Sequence, residues 1–264
     1  MKRVLTALVL IPAVLWVVFQ GTPLAVQLAL TVVALLCLHE CLGIARAAGI
    51  TVSTPVSHAA GAAMILAPAL PYPAFLVGFA VLAMLLSLNR LHTSGGAFAS
   101  ASAMLFAVVY ACGPFAVARQ LHTLSPHWLF FPLLVNWVGD SSAMYVGKAF
   151  GRRKLAPTIS PNKTWEGTIA SLVLGAAAGA GYLLYFLPDL VSPVFAIVLA
   201  VLVNVAGQLG DLAESALKRG VDMKDSGSLL PGHGGLLDRM DGALFSFPTL
   251  YWALVASGWI VAGL

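Results

Sequence analysis

Residues 193–241 read PVFAIVLAVLVNVAGQLGDLAESALKRGVDMKDSGSLLPGHGGLLDRMD, an apolar run that ends in the densest block of charge in the chain. No ionisable side chain occurs before Asp211, and residues 193–214 match the roughly 20 apolar residues that a helix needs to cross hydrocarbon. Residues 215–241 then carry eight charged side chains, Lys218, Arg219, Asp222, Lys224, Asp225, Asp238, Arg239 and Asp241. An unpaired charge in hydrocarbon costs several kcal/mol, so such a block persists only where water, an ion or a charged ligand solvates it. The stretch predicts a membrane-crossing helix with the chemistry gathered at one end.

The rest of the chain extends this reading. A mean hydropathy of +0.94, 60% hydrophobic and only 9% charged residues exclude an ordinary soluble domain, in which about a quarter of residues are charged. Windows of about 20 residues predict nine spans, at 4–20, 24–44, 56–70, 73–89, 97–117, 128–147, 166–187, 193–214 and 241–262. The expected fold class is all-α, a polytopic membrane helical bundle. The first span follows Lys2 and Arg3 but lacks a small-x-small cleavage site near Gln20 to Pro23, so it reads as a retained anchor. Cys37, Cys41 and Cys112 lie inside apolar spans, odd in number and without a CxxC pair; they read as buried small hydrophobes.

Orientation follows from the basic residues. With the N-terminus cytoplasmic, Lys2, Arg3, Arg46, Arg90, Lys148, Arg152, Arg153, Lys154, Lys163, Lys218, Arg219, Lys224 and Arg239 fall inside and only Arg119 outside. All acids except Asp189 share the inner side, which the positive-inside rule alone does not predict. The pI of about 9.1 reports topology and attraction to anionic lipid rather than nucleic-acid binding. No internal repeat shows, against the duplicated halves of many transporters. Residues 1–117, with Glu40 their only acid, read as a transmembrane scaffold; residues 118–264 read as the catalytic region, with inner loops 148–164 and 218–240.

Asp211, Glu214, Ser215 and Lys218 stand at i, i+3, i+4 and i+7, one face of a helix. Salt bridges at a helix exit are the plainer reading, but a simple exit does not need an Asp seven residues deeper than the Lys. Asp238 and Asp241 bracket Arg239 where the ninth span begins, where the helix dipole favours carboxylates. Asp211 and Asp238 are also hard oxygen ligands suited to Mg²⁺, which takes one or two carboxylates, keeps waters and completes its shell with substrate phosphate. The Pro231-Gly232-His233-Gly234-Gly235 turn suits a phosphate, because glycines turn N–H groups toward an anion at a helix N-terminus, and Lys218, Arg219 and Lys224 lie nearby.

A second constellation runs from Asp140 through Gly147 to Lys154 and on to Ile159–Gly167. Asp140, placed in apolar sequence, is a functional candidate by default. Ser160 to Glu166 reads as a turn entering the seventh helix, with Thr164 as N-cap and Glu166 in the first turn. A cap does not explain Lys163 and the Arg152–Lys154 cluster together.

Ser215, Lys218, Arg219, Lys224, Asp225, Pro231, His233, Gly234, Gly235, Asp238, Arg239 and Asp241 together resemble the signature of the phosphatidate cytidylyltransferase (CDP-diacylglycerol synthase) family. The Asp140 region and the stretch Ser160-Pro161-Asn162-Lys163-Thr164-Trp165-Glu166-Gly167 are similar to it as well. Two departures stand out. Asn162 replaces an expected Lys beside Lys163, and His39-Glu40-Cys41 replaces a Glu-aromatic pair, leaving Glu40 without an assigned role.

The resemblance implies that CTP and phosphatidate react at the cytoplasmic face of the bacterial inner membrane, with Mg²⁺, to give CDP-diacylglycerol and pyrophosphate. A second cation such as K⁺ is implied by resemblance alone. Asp211, Asp238, Lys218, Arg219, Ser215 and Asp140 are then the expected catalytic group, with Asp211 and Asp238 on the metal. Lys224, Asp225, His233, Gly234, Gly235, Arg239, Asp241, Ser160, Lys163 and Thr164 are the expected substrate contacts. The partners are CTP and bilayer phosphatidate, with no nucleic acid; single chain and homodimer stay open. The lipid phosphomonoester is already an anionic nucleophile, so the reaction needs charge neutralisation and in-line placement rather than an activated side chain. Alternatives are a related enzyme acting on another lipid phosphate, such as an archaeal ether lipid, a polyprenol kinase, or an ion-coupled transporter. Transport predicts ionisable groups near the midplane facing both sides, whereas here they collect on one.

Overall fold

The computed structural model describes residues 2–67, 71–88, 96–229 and 234–260, and of residues 2–10 only the backbone. Arg90, Pro231, Gly232 and His233 lie outside the described residues. Nine helices are described: α1 Lys2–Gln20, α2 Pro23–Ala47, α3 Thr54–Leu66, α4 Tyr72–Ser87, α5 Gly96–Leu124, α6 Pro126–Phe150, α7 Trp165–Phe186, α8 Pro193–Arg219 and α9 Leu237–Ala256. Each falls on one of the expected apolar windows. The all-α expectation needs one correction: Lys154–Ala156 (β1) and Ser160–Thr164 (β2) form an antiparallel hairpin ahead of α7, where the sequence suggested only a turn.

Local chemistry sets the helix starts. Thr22 Oγ1 accepts from Ala25 N at 3.2 Å and Pro23 follows at the first helical position; Ser125 and Pro126 repeat the device at α6. At the far end of α2, Gly49 adopts φ 76°, the left-handed conformation that closes a helix without a Cβ clash.

Among the described residues four helices, α2, α5, α7 and α8, are long and apolar enough to cross a membrane. Their outward faces agree with a lipid environment. Leu24, Leu28 and Val32 make an exposed i, i+4, i+8 stripe on α2, and Ile169 and Val173 do the same on α7. Such stripes in water would be association liabilities; in hydrocarbon they are solvated. With 13 residues, α3 spans about 20 Å at 1.5 Å per residue, short of the roughly 30 Å hydrocarbon core.

The chain divides into two compact units, Met1–Arg119 with Leu217–Met240, and Gln120–Ala216 with Asp241–Leu264. In the first, Leu38, Leu42, Ile65, Met104 and Phe115 are fully buried. Gln27 Nε2 ties α2 to α3 through Ile65 O at 2.9 Å. A Cβ on Gly61 would fall 2.7 Å from Cys112 Sγ, so glycine there lets α3 approach α5 closely. Cys37, Cys41 and Cys112 are buried free thiols, as expected.

The second unit is knitted by small residues and buried amides. Asn204, on α8, donates to Ser171 O and Oγ on α7, each at 3.2 Å, and accepts from Gln208 Nε2 at 2.7 Å. Gly139 on α6 and Gly175 on α7 make room for that amide; a Cβ on either would stand 2.7 or 2.5 Å from Asn204 Nδ2. Asn136 on α6 bonds Ser246 on α9 at 3.1 Å. Interhelical bonds between small-residue faces are how helices associate where the hydrophobic effect gives no help.

Candidate active site

Ser226 and the residues that open α9 gather around two carboxylates in the first unit. Asp238, in the first turn of α9, accepts from Lys218 Nζ at 2.5 Å, from Gly235 N at 2.7 Å, and from Ser226 N at 3.0 and 3.1 Å on its two oxygens. Both side chains are largely buried, Lys218 at 10% and Asp238 at 8% exposure. An acid at this place is favoured by the helix dipole and by N–H groups with no partner inside the helix. The Gly235 N–H expected to face a phosphate is thus directed at Asp238.

Glu40 of α2 occupies the same helix end. It is buried, and it accepts from Leu237 N at 2.8 Å, from Leu236 N at 3.1 Å and from Ser226 Oγ at 3.1 Å. The sequence left this residue without an assigned role. The signal available was its isolation, as the only acid among the first 117 residues.

Arg219, Lys224, Asp225 and Arg239 are exposed, and Arg219 Nη1 donates to Met223 O at 3.0 Å. Asp222 turns the chain with φ 56°. Gly234 has φ 81°, where an L side chain is strained, and a Cβ there would sit 2.9 Å from Asp238 Oδ2. The expected role of His233 falls outside the described residues.

In the second unit, Lys163 on β2 pairs with Asp211 on α8 at 2.6 Å, and Ser215 Oγ donates to the other Asp211 oxygen at 3.4 Å. Asp241 lies within Coulombic reach of Asp211, Asp140 and Glu214, so four carboxylates share this region. Asp140 is exposed and Glu214 buried. Among the described residues no three His, Cys, Asp or Glu side chains converge as a ready metal cage. Hard oxygen donors crowded by like charge nevertheless fit Mg²⁺, which keeps waters and takes ligands from substrate phosphate.

The hairpin explains how Lys163 is presented. Lys154 pairs with Thr164 and Ala156 with Ser160, and Glu166 reaches back to Arg152 N at 3.1 Å and Arg153 N at 3.3 Å. Thr164 Oγ1 accepts from Gly167 N at 3.2 Å, the N-cap expected from sequence. A Cβ on Gly147, Gly151 or Gly167 would meet Thr164 within 3.2 Å, so these glycines let α6, α7 and the hairpin close on it. Ser160, half-buried at the hairpin turn, holds the register rather than an ion pair.

Residues 1–257 match the model of the cytidylyltransferase family. The chain is 32% identical over 260 residues to the phosphatidate cytidylyltransferase of Staphylococcus aureus, covering 97% of this chain and 99% of that protein. It is 45% identical over 141 residues to the phosphatidate cytidylyltransferase of Bacillus subtilis, a match spanning 53% of this chain and about half, 52%, of that protein. To the protein of the same name from Staphylococcus haemolyticus it is 36% identical over 172 residues, 65% of this chain and 66% of that one.

Proposed function

The chain belongs to the cytidylyltransferase family, and on that premise we propose that this nucleotidyltransferase converts CTP and phosphatidate to CDP-diacylglycerol and pyrophosphate. The phosphatidate phosphomonoester oxygen attacks the α-phosphorus of CTP, the new P–O bond forms in line with the bond to the β-phosphate, and pyrophosphate leaves with that electron pair. The observation that carries the reading is the joint burial of Lys218 and Asp238 at a helix N-terminus inside the complete twelve-position signature.

Each group has a task set by its charge. Lys218, Arg219, Lys224 and Arg239 neutralise and orient phosphate groups, and Lys163 adds a cation from the hairpin. Ser215 donates a hydroxyl to Asp211 and supports its placement. Asp140, Asp225 and Asp241 would add carboxylate oxygens to the reaction and to substrate binding, and Ser160 and Thr164 position the Lys163 strand. Asp211 and Asp238 are the proposed Mg²⁺ ligands, and the metal would polarise the phosphates and offset charge developing on the leaving group. Lys163 pairs with Asp211 and Lys218 with Asp238. A second cation, such as K⁺, belongs to the same proposal.

We place the protein in a bacterial membrane with nine spans, the N-terminus and the site on the cytoplasmic side. Thirteen of 14 basic residues fall on that side of the nine-span reading, which supports it. The short α3 is accommodated by pairing with α4 as a hairpin inside the scaffold. The test is pyrophosphate release by purified protein in mixed micelles. Release that needs CTP, phosphatidate and Mg²⁺ together is expected, whereas CTP turnover indifferent to phosphatidate rejects the proposed acceptor.

A further inference from the structure

Three consecutive backbone N–H groups open α9, and two carboxylates divide them. Gly235 N–H goes to Asp238; Leu236 and Leu237 N–H go to Glu40. Ser226 joins the two acids, giving its N–H to Asp238 and its hydroxyl to Glu40. The chain around Glu40 is shaped to the carboxyl group. A Cβ on Gly227 would collide with Glu40 Oε1 and one on Gly235 would fall 2.5 Å from Oε2, so both glycines lie against the acid as bare backbone. Without Glu40, the Leu236 and Leu237 N–H groups at the helix end would lose the acceptor they share.

We propose that Glu40 is a positioning residue: its buried carboxylate holds Ser226 and the Leu236–Leu237 start of α9 together, and by taking the Leu236 and Leu237 N–H groups it fixes where Asp238 and Lys218 stand. This deepens the cytidylyl-transfer reading and rests on it for its consequence in turnover. The geometric part stands on the Glu40 bonds alone. Gly235 is reassigned with it, since its missing side chain makes room for a carboxylate of the protein rather than for a substrate phosphate.

The test is Glu40→Gln in a Ser228→Cys background, Ser228 being an exposed position of the Ser226–Ser228 segment that contacts no substrate in the proposed mechanism. The three native cysteines are buried, so the thiol introduced at position 228 is the accessible one. The Gln amide turns an acceptor into a donor facing N–H and O–H donors. Two readouts are taken: kcat and KM for CTP, and the rate at which a maleimide labels the introduced thiol without substrates. The expected result is a kcat lower by about tenfold or more, the scale of a displaced reacting group, with KM changed by less than about threefold, and faster labelling. Turnover and labelling both equal to those of the parent overturn the proposal. Unchanged labelling with low turnover also overturns it, since the segment would then not depend on Glu40. Should the parent protein not turn over CTP, the function reading fails and the labelling arm decides this inference alone.

A second variant guards against misfolding. Ser226→Ala deletes one of the three donors without burying a charge, and it is expected to change both readouts in the same directions but less. If it leaves both unchanged, the proposal is overturned. Gly227→Ala should reduce kcat in the Glu40 protein and regain part of the loss when combined with Glu40→Asp, whose shorter side chain draws the carboxyl group back. Independent effects of the two substitutions would contradict the fit between Gly227 and Glu40.

Discussion

Lys218, in the last turn of α8, donates to Asp238, in the first turn of α9, across 2.5 Å, with both side chains withdrawn from solvent. The two residues lie 20 positions apart, and the segment between them contains most of the family signature. Truncating one partner of a buried pair leaves the other charge uncompensated, typically at about 3–5 kcal/mol. Asp238 keeps three bonds from two backbone N–H groups. Lys218→Ala is therefore expected to destabilise the protein toward the lower end of that range and to abolish turnover. Arg46→Ala, which removes only an exposed bond to Thr54 Oγ1, should be close to wild type in both. Thermal unfolding in detergent and CTP turnover check this; comparable mild defects in the two variants would reject the assignment.

The Lys163 to Asp211 pair should behave differently. Its side chains are 24% and 34% exposed, and solvent-accessible pairs contribute only about 0–1 kcal/mol. Lys163→Ala is thus expected to leave the unfolding temperature nearly unchanged while lowering kcat/KM by about tenfold or more, the scale of a lost charge-assisted phosphate contact. A large loss of stability with turnover intact would make Lys163 structural.

Thr164 caps α7, its hydroxyl accepting from Gly167 N at 3.2 Å. Replacing a capping Thr by Ala typically costs about 1 kcal/mol, whereas Ser retains the acceptor oxygen. Thr164→Ser should keep both stability and turnover, and Thr164→Ala should lose stability first. Equal loss of turnover in both variants, with stability kept, would indicate a substrate contact instead of the bond to Gly167 N.

Gly139→Ala probes the helix packing. The added methyl would stand 2.7 Å from both Asn204 Nδ2 and Ser171 Oγ, and overpacking a close contact typically costs about 1–3 kcal/mol. Reduced thermal stability is expected, eased by Asn204→Ala in the double variant. Additive effects would mean that the two residues do not share the space.

The helices were legible because lipid demands long apolar runs, and each of the nine expected windows carries one. Their limits were less so: α3 stops at Leu66 rather than residue 70, and α8 continues as helix to Arg219, past the expected inner edge at 214. The hairpin leaves no pattern in the sequence, because Ser160-Pro161-Asn162-Lys163-Thr164 has no alternating apolar residues and its register depends on backbone pairing and Glu166. The Asp238 region was legible as a signature, yet its bonding was not. Glu40 lies 196 positions from Leu236, and no local pattern in α2 names a partner so distant. Asp211 illustrates the converse, since its helical face with Ser215 could be read from spacing while Lys163, from the hairpin, could not.

The most direct test of the proposed chemistry follows the phosphorus atoms of CTP. Purified protein in phosphatidate micelles with Mg²⁺ is given CTP radiolabelled at either the α- or the γ-phosphorus, and lipid and aqueous products are separated. Label from the α position should appear in the lipid as CDP-diacylglycerol, and label from the γ position should leave as pyrophosphate. Transfer of the γ label to lipid, as in a lipid kinase, or no label in lipid from either position, would contradict cytidylyl transfer to phosphatidate.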